Sequence, residues 1–141
     1  LCATLGAGPS RSAGVVVTSM TLAVTGGTGF VGAEVIRQAI AAGHRVRALT
    51  RRPQPETPGI SWIDGALDNA SSLDALIAGT DGVIHVAGVV NAPSRADFVA
   101  ANATGTAAMI AAATGRTHRF VHVSSLAARE PELSNYGASK A

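Results

Sequence analysis

The chain has 141 residues, 47% of them hydrophobic and 14% charged, with a net charge of +2 at pH 7. That is one domain's worth of chain with enough apolar material for a sizeable core, which excludes extensive disorder. The basic residues are scattered apart from Arg51-Arg52, and no apolar run approaches the roughly 20 residues that span a bilayer, so neither a nucleic-acid face nor a membrane span is expected.

Residues 1–19 carry Gly, Pro, Ser and Thr throughout, do not begin with Met, and hold one brief apolar run, Val15-Val16-Val17. They read as a disordered or non-native N-terminal extension, with the domain proper running from Met20 to Ala141. The single cysteine, Cys2, lies in this tail. An internal disulfide is thereby excluded, no Cys/His cluster with metal-ligand spacing is present, and a cytoplasmic setting is expected.

A short apolar run, Leu22-Ala23-Val24, leads into Thr25-Gly26-Gly27-Thr28-Gly29-Phe30-Val31-Gly32. Helical spacing of Val31, Val35, Ile36, Ala39 and Ile40 follows and stops at Gly43. The pattern is strand, glycine turn, helix. Glycines three apart let the chain turn off a strand, bring bare backbone against a ligand and pack the helix close to the sheet. The first amides of that helix, backed by its dipole, suit a pyrophosphate.

Residues 45–50 alternate toward a second strand that ends at Arg51-Arg52-Pro53, and a Pro-rich loop runs to Gly59. Residues 60–63 form a third strand, and 71–78 a helix with an N-cap signal at its serines, closed by Gly79. The continuous apolar run 83–87 marks a fourth strand buried on both faces. Ser94 to about Thr114 reads as a long Ala-rich helix, and 119–123 as a fifth strand. Strands alternate with helices without an internal repeat, which predicts an α/β fold with a doubly wound parallel sheet and helices on both faces.

In such sheets ligands bind beyond the carboxyl ends of the strands. After the second strand, Thr50 stands where an NAD site commonly holds an acid for the ribose, and Arg51 follows, which favours NADP with NAD as the alternative. Asp64 and Asp68 read as solvated loop acids. His85 and His122 read as core histidines with backbone partners. Asn102 is more polar than its helix requires, and either bonding near the site or an exposed position accounts for it. At the end of the chain the fifth strand delivers Ser124-Ser125, and Tyr136 and Lys140 stand four apart. On a helix they share one face, where an ammonium favours the phenolate and a tyrosine can exchange a proton with a carbonyl or alcohol oxygen. A serine hydroxyl beside it supplies a second hydrogen bond to that oxygen.

T-G-G-T-G-F-V-G, H-V-A-G, N-A-T-G-T, V-H-V-S-S and Y-G-A-S-K stand in that order over Met20 to Ala141. In this the chain resembles the short-chain dehydrogenase/reductase superfamily, in its extended and atypical branch of NAD(P)-dependent epimerases, dehydratases and reductases. The resemblance implies a Rossmann-type domain in which Gly26, Thr28, Gly29, Phe30, Val31 and Gly32 surround the pyrophosphate. Arg51, Leu67, Ala87 and Gly88 would complete the cofactor site. It further implies that Ser125 polarises the substrate oxygen, with Ser124 as second choice, that Tyr136 transfers the proton, and that Lys140 aids the tyrosine and holds the nicotinamide ribose. Two features depart from the family: Gly65-Ala66-Leu67 lacks its usual Asp, and the Ser125-to-Tyr136 interval is shorter than in sugar epimerases, which argues against a nucleotide sugar. The chain is expected to be the N-terminal, cofactor-binding part, its sheet truncated after the fifth strand, the substrate-binding part absent and the fragment itself inactive. The expected activity is hydride transfer to or from a carbonyl or secondary alcohol of a small molecule. Epimerisation or dehydration through a keto intermediate, and a non-catalytic dinucleotide sensor, stay open as alternatives, as does a homodimer of the full-length protein.

Overall fold

The computed structural model describes residues 18–141. Most of the expected N-terminal extension, Cys2 included, therefore lies outside the described residues; within them the hydroxyl of Ser19 donates to the carbonyl of Gly43 at 2.8 Å.

Five strands form one parallel sheet: β1 (Thr21–Thr25), β2 (Arg45–Thr50), β3 (Ile60–Asp64), β4 (Gly82–His85) and β5 (Phe120–His122). Their order across the sheet is β3-β2-β1-β4-β5. The expected doubly wound parallel sheet is present. Helix α1 (Phe30–Ala41) follows β1, and α2 (Ala70–Ile77) follows β3. After β4 come α3 (Arg95–Phe98), a π-helical segment (Val99–Thr104) and α4 (Gly105–Ala113). Two 3-10 turns, Leu126–Arg129 and Pro131–Leu133, precede α5 (Asn135–Lys140).

Alternation along the strands sorts the core into two layers. Ala23, Leu49 and Val83 point to one face, where Leu73, Leu76 and Ile77 of α2 and Met109 and Ala113 of α4 cover them. Val24, Val46 and Ala48 point to the other, under Ile36 and Ala39 of α1. Strands covered on both sides lose the polar half of the usual alternation. Hence Ala48, Leu49 and Thr50 are all buried in β2.

Several boundaries differ from the sequence reading by one or two residues. The strand expected over 83–87 closes at His85, and α2 is capped by Asn69 rather than by its serines, with the Asn69 side chain accepting from the Ser72 amide at 3.2 Å. Asn69 lies outside the helical spacing, but its short carbonyl reaches a first-turn amide from extended backbone, as a cap must. The expected long helix over 94–114 is continuous from Arg95 to Ala113, capped by Ser94, yet its middle is π-helical. Extra-turn geometry of this kind leaves no mark in apolar spacing and often accompanies functional sites.

Candidate active site

With strand order β3-β2-β1-β4-β5, connections leave β1 and β4 in opposite directions, and a crevice opens beyond their carboxyl ends. Gly26 follows β1 there at φ +71, and a Cβ on it would lie 2.7 Å from the Ala87 nitrogen beyond β4. Gly32 sits in the first turn of α1, where a Cβ would lie 2.0 Å from the Gly26 carbonyl oxygen. Neither contact is relieved by a side-chain rotation, because both involve backbone. Gly29 is different: a Cβ there meets only the Gly26 oxygen, at 3.4 Å. As the cap of α1, Gly29 offers no side chain to the first turn, so the opening amides at Phe30 and Val31 lack a side-chain capping acceptor. Phe30 is 96% exposed. Bare backbone, an uncapped twelve-residue helix and an open approach fit a dinucleotide pyrophosphate.

Beyond β2, the buried Thr50 hydroxyl donates to the Arg52 carbonyl at 2.7 Å and accepts from the Arg52 amide at 3.3 Å. This small turn leaves Arg51 exposed on a cleft of about 360 Å³, which it lines with Thr28, Thr50, Arg52 and Gln54. Thr28 of the glycine turn and Arg51 are thus brought together, with no carboxylate among the described residues that line the cleft. Asp64 and Asp68 are exposed. The Leu67 side chain packs into the layer beneath α2 and α4, close against Gly105, where a Cβ would lie 2.9 Å from its Cδ1.

The last third of the chain converges on β4. Lys140 reaches back over the exposed Gly88, where a Cβ would stand 2.7 Å from the Lys140 Nζ and 2.9 Å from the Asn102 Oδ1. Tyr136, one helical turn earlier, is half-buried with its ring tilted on Phe98 at 6.2 Å between centroids. Ser125 caps the turn Leu126–Arg129, its hydroxyl accepting from the Ala127 amide at 3.2 Å. That turn lies against α5 where Gly137 leaves room, since a Cβ there would be 2.7 Å from the Ala127 carbonyl oxygen. Ser124 donates to the Lys140 carbonyl at 3.3 Å. A larger cleft of about 580 Å³ is lined by Arg95, Pro131, Glu132, Ser134, Asn135 and Ala138. Asn135 and Ala138 lie across the α5 barrel from Tyr136 and Lys140, so this cleft is separate from the face they share.

Asn102, left open by the sequence, is 98% buried, with 2% relative exposure, and central. Its Oδ1 accepts from the Val89 amide at 2.7 Å, and its Nδ2 donates to the Val89 carbonyl and the Ser139 hydroxyl, each at 2.9 Å. The reading of His85 as a core histidine with a backbone partner needs correction. His85 is fully buried, but its Nδ1 meets the Thr25 hydroxyl at 2.7 Å and its Nε2 the Thr106 hydroxyl at 2.9 Å. In a parallel sheet the strand backbone is already paired with its neighbours, leaving side-chain hydroxyls as the free partners. His122 stacks on His85 at 5.3 Å between centroids, and its Nδ1 is buried without a partner among the described residues. Burial, then the charges of His122 and Lys140, push His85 down to about 4. Burial and Lys140 lower His122 as well.

The sequence profile of the NAD dependent epimerase/dehydratase family matches residues 22–140. The chain belongs to that family. It is 42% identical over 124 residues to a ceramide reductase of Caulobacter vibrioides, covering 84% of this chain and 39% of the relative. To the 4-hydroxy-2-methyl-3-oxo-4-farnesyl-3,4-dihydroquinoline-1-oxide ketoreductase of Stigmatella aurantiaca it is 36% identical over 107 residues, covering 72% of this chain and 32% of the relative. The chain therefore spans two fifths or less of these relatives' length. Among solved structures, a short-chain dehydrogenase/reductase superfamily protein of Agrobacterium tumefaciens with bound NAD superposes with a TM-score of 0.74 at 28% identity, over 85% of this chain and 42% of that one. The expected superfamily and Rossmann-type fold are thereby established, and the family is NAD dependent. Among the described residues no helix is long and apolar enough to cross a membrane.

Proposed function

We propose that this family member is an NAD(P)-dependent oxidoreductase that transfers hydride to or from a ketone or secondary alcohol, with Ser125, Tyr136 and Lys140 as its proton-handling residues. The observation that carries the reading is the Lys140 ammonium lying over Gly88 at the end of β4, with Tyr136 one turn away on the same short helix. A nucleotide site and a proton donor are then adjacent, as reduction of a carbonyl requires. The bound dinucleotide supplies or accepts the hydride. Tyr136 gives its phenolic proton to the developing alkoxide and recovers it in the reverse direction, and Lys140 supplies positive charge on that face. Ser125 offers the second hydrogen bond to the substrate oxygen: its hydroxyl accepts from the Ala127 amide and donates its own proton to the oxygen that develops charge.

Gly26, Thr28, Gly29, Phe30, Val31 and Gly32 would hold the pyrophosphate, and Ala87, Gly88 and the Leu67 loop would flank the rest of the cofactor. Arg51, on the cleft it shares with Thr28 and with no acid among the described residues lining it, favours the 2′-phosphate of NADP. Reductase chemistry is preferred to epimerisation because the two curated relatives named above are a ceramide reductase and a ketoreductase.

The decisive experiment is Tyr136→Phe in the protein expressed from its complete reading frame. NADPH-dependent reduction of a ketone panel should vanish, while cofactor affinity, measured by isothermal titration calorimetry, should hold. Most of the rate surviving in Tyr136→Phe would remove the phenol from the mechanism.

A further inference from the structure

The placement of α5 and of both its functional side chains is set where the helix meets the surrounding fold. Its buried polar tether is Ser139, which donates to the Tyr136 carbonyl at 2.8 Å and accepts from the Asn102 Nδ2. Asn102 in turn lies inside the π-helical segment, and its own carbonyl accepts from the Thr106 hydroxyl at 2.6 Å. The position of Asn102 therefore depends on what fixes Thr106.

Donor and acceptor matching along this line allows one assignment. Thr106 has a single proton, given to Asn102, so at 2.9 Å it accepts from His85 and that ring carries its hydrogen on Nε2. Nδ1 is then an acceptor, and the Thr25 hydroxyl donates to it while accepting from the Ala87 amide at 3.2 Å. Every donor meets one acceptor. With the hydrogen on Nδ1 instead, the Thr25 proton would be left without a partner and Thr106 could not serve both His85 and Asn102, which is costly at a fully buried site.

We propose that His85, held as the neutral Nε2–H tautomer, is a positioning residue for the oxidoreductase reaction: it ties the end of β1, beside the glycine turn, through Thr106 and Asn102 to the helix that carries Tyr136 and Lys140. The two ends are far apart in sequence, Thr25 and His85 standing 60 positions apart and Asn102 and Ser139 37. Neither His85 nor Thr106 touches the reacting atoms; they act by holding Asn102. The kinetic part of the proposal rests on the oxidoreductase reading, whereas the positional part does not.

Three measurements on the protein expressed from its complete reading frame decide it. In 15N-histidine NMR spectra at pH 7, His85 should carry its proton on Nε2; a proton on Nδ1 would overturn the assignment. Thr106→Val removes the hydroxyl at nearly constant volume and Thr106→Ser keeps it. Thr114→Val is the control, since the exposed Thr114 hydroxyl bonds to the Ile110 carbonyl one turn back on the same helix. Thr106→Val should speed amide hydrogen exchange at Tyr136 to Lys140 by about tenfold, with Ser restoring protection and Thr114→Val leaving it alone. Unchanged exchange, or an equal change in the control, would overturn the tether. In turnover, Thr106→Val should lower kcat by roughly tenfold while cofactor affinity stays nearly constant; an unchanged kcat would remove the positioning role. Should the unmutated protein reduce no carbonyl at all, the oxidoreductase reading fails, and the NMR and exchange results still decide the tether by themselves.

Discussion

Acidification should destabilise this fold through the buried His85. His85 binds a proton at a pKa of about 4 when folded, against 6.5 in the unfolded chain. Between those values the unfolded chain holds a proton that the folded one does not, so stability rises with pH across that window. The contribution of neutral His85 is fully present above pH 6.5 and is lost as the pH falls toward 4. At pH 5 the unfolded imidazole is almost wholly charged while roughly a tenth of the folded one is, which places the loss between pH 7 and pH 5 at about 2 kcal/mol. His122 and Lys140 are the titratable groups beside it, and neither relieves the cost of charging a buried ring. Urea unfolding of the unmutated protein and of His85→Gln at pH 7, 6 and 5 tests the claim, since both proteins share every other titrating group. His85→Gln should be the less stable at pH 7, and the gap should narrow by about 2 kcal/mol at pH 5. A gap that stays constant over this range would show that His85 ionises freely in the folded protein and would refute the buried, neutral ring.

Two further perturbations address the cofactor end. Gly32→Ala should cost more than about 3 kcal/mol and abolish dinucleotide binding, because its Cβ meets the Gly26 carbonyl oxygen at 2.0 Å, whereas Gly29→Ala should keep the fold. Thermal unfolding by circular dichroism separates them, and equal midpoints would mean the turn is looser than it looks. Arg51→Ala should weaken NADPH binding by about 1.5–3 kcal/mol and leave NADH binding unchanged; equal losses for both cofactors in fluorescence titration would take Arg51 off the 2′-phosphate.

What the sequence by itself determined is the local grammar. Apolar spacing placed every strand and the main helices, because burial on one or both faces imposes a period that survives in the residue order. Glycines at 26, 29 and 32 announced the turn, and Tyr136 and Lys140 announced a shared helical face. Only the tertiary structure decided which of these residues are interchangeable. Gly26 and Gly32 are crowded by backbone from other segments and Gly29 is not, a difference with no trace in their equal spacing. The partners of His85 and Asn102 were also illegible, since hydrogen bonds between residues 13 to 60 positions apart exist only after the strands and helices have packed together. The π-helical segment that turns Asn102 inward is another such decision. A chain's local pattern records which surfaces are buried, while the crossover of a parallel sheet chooses what they are buried against.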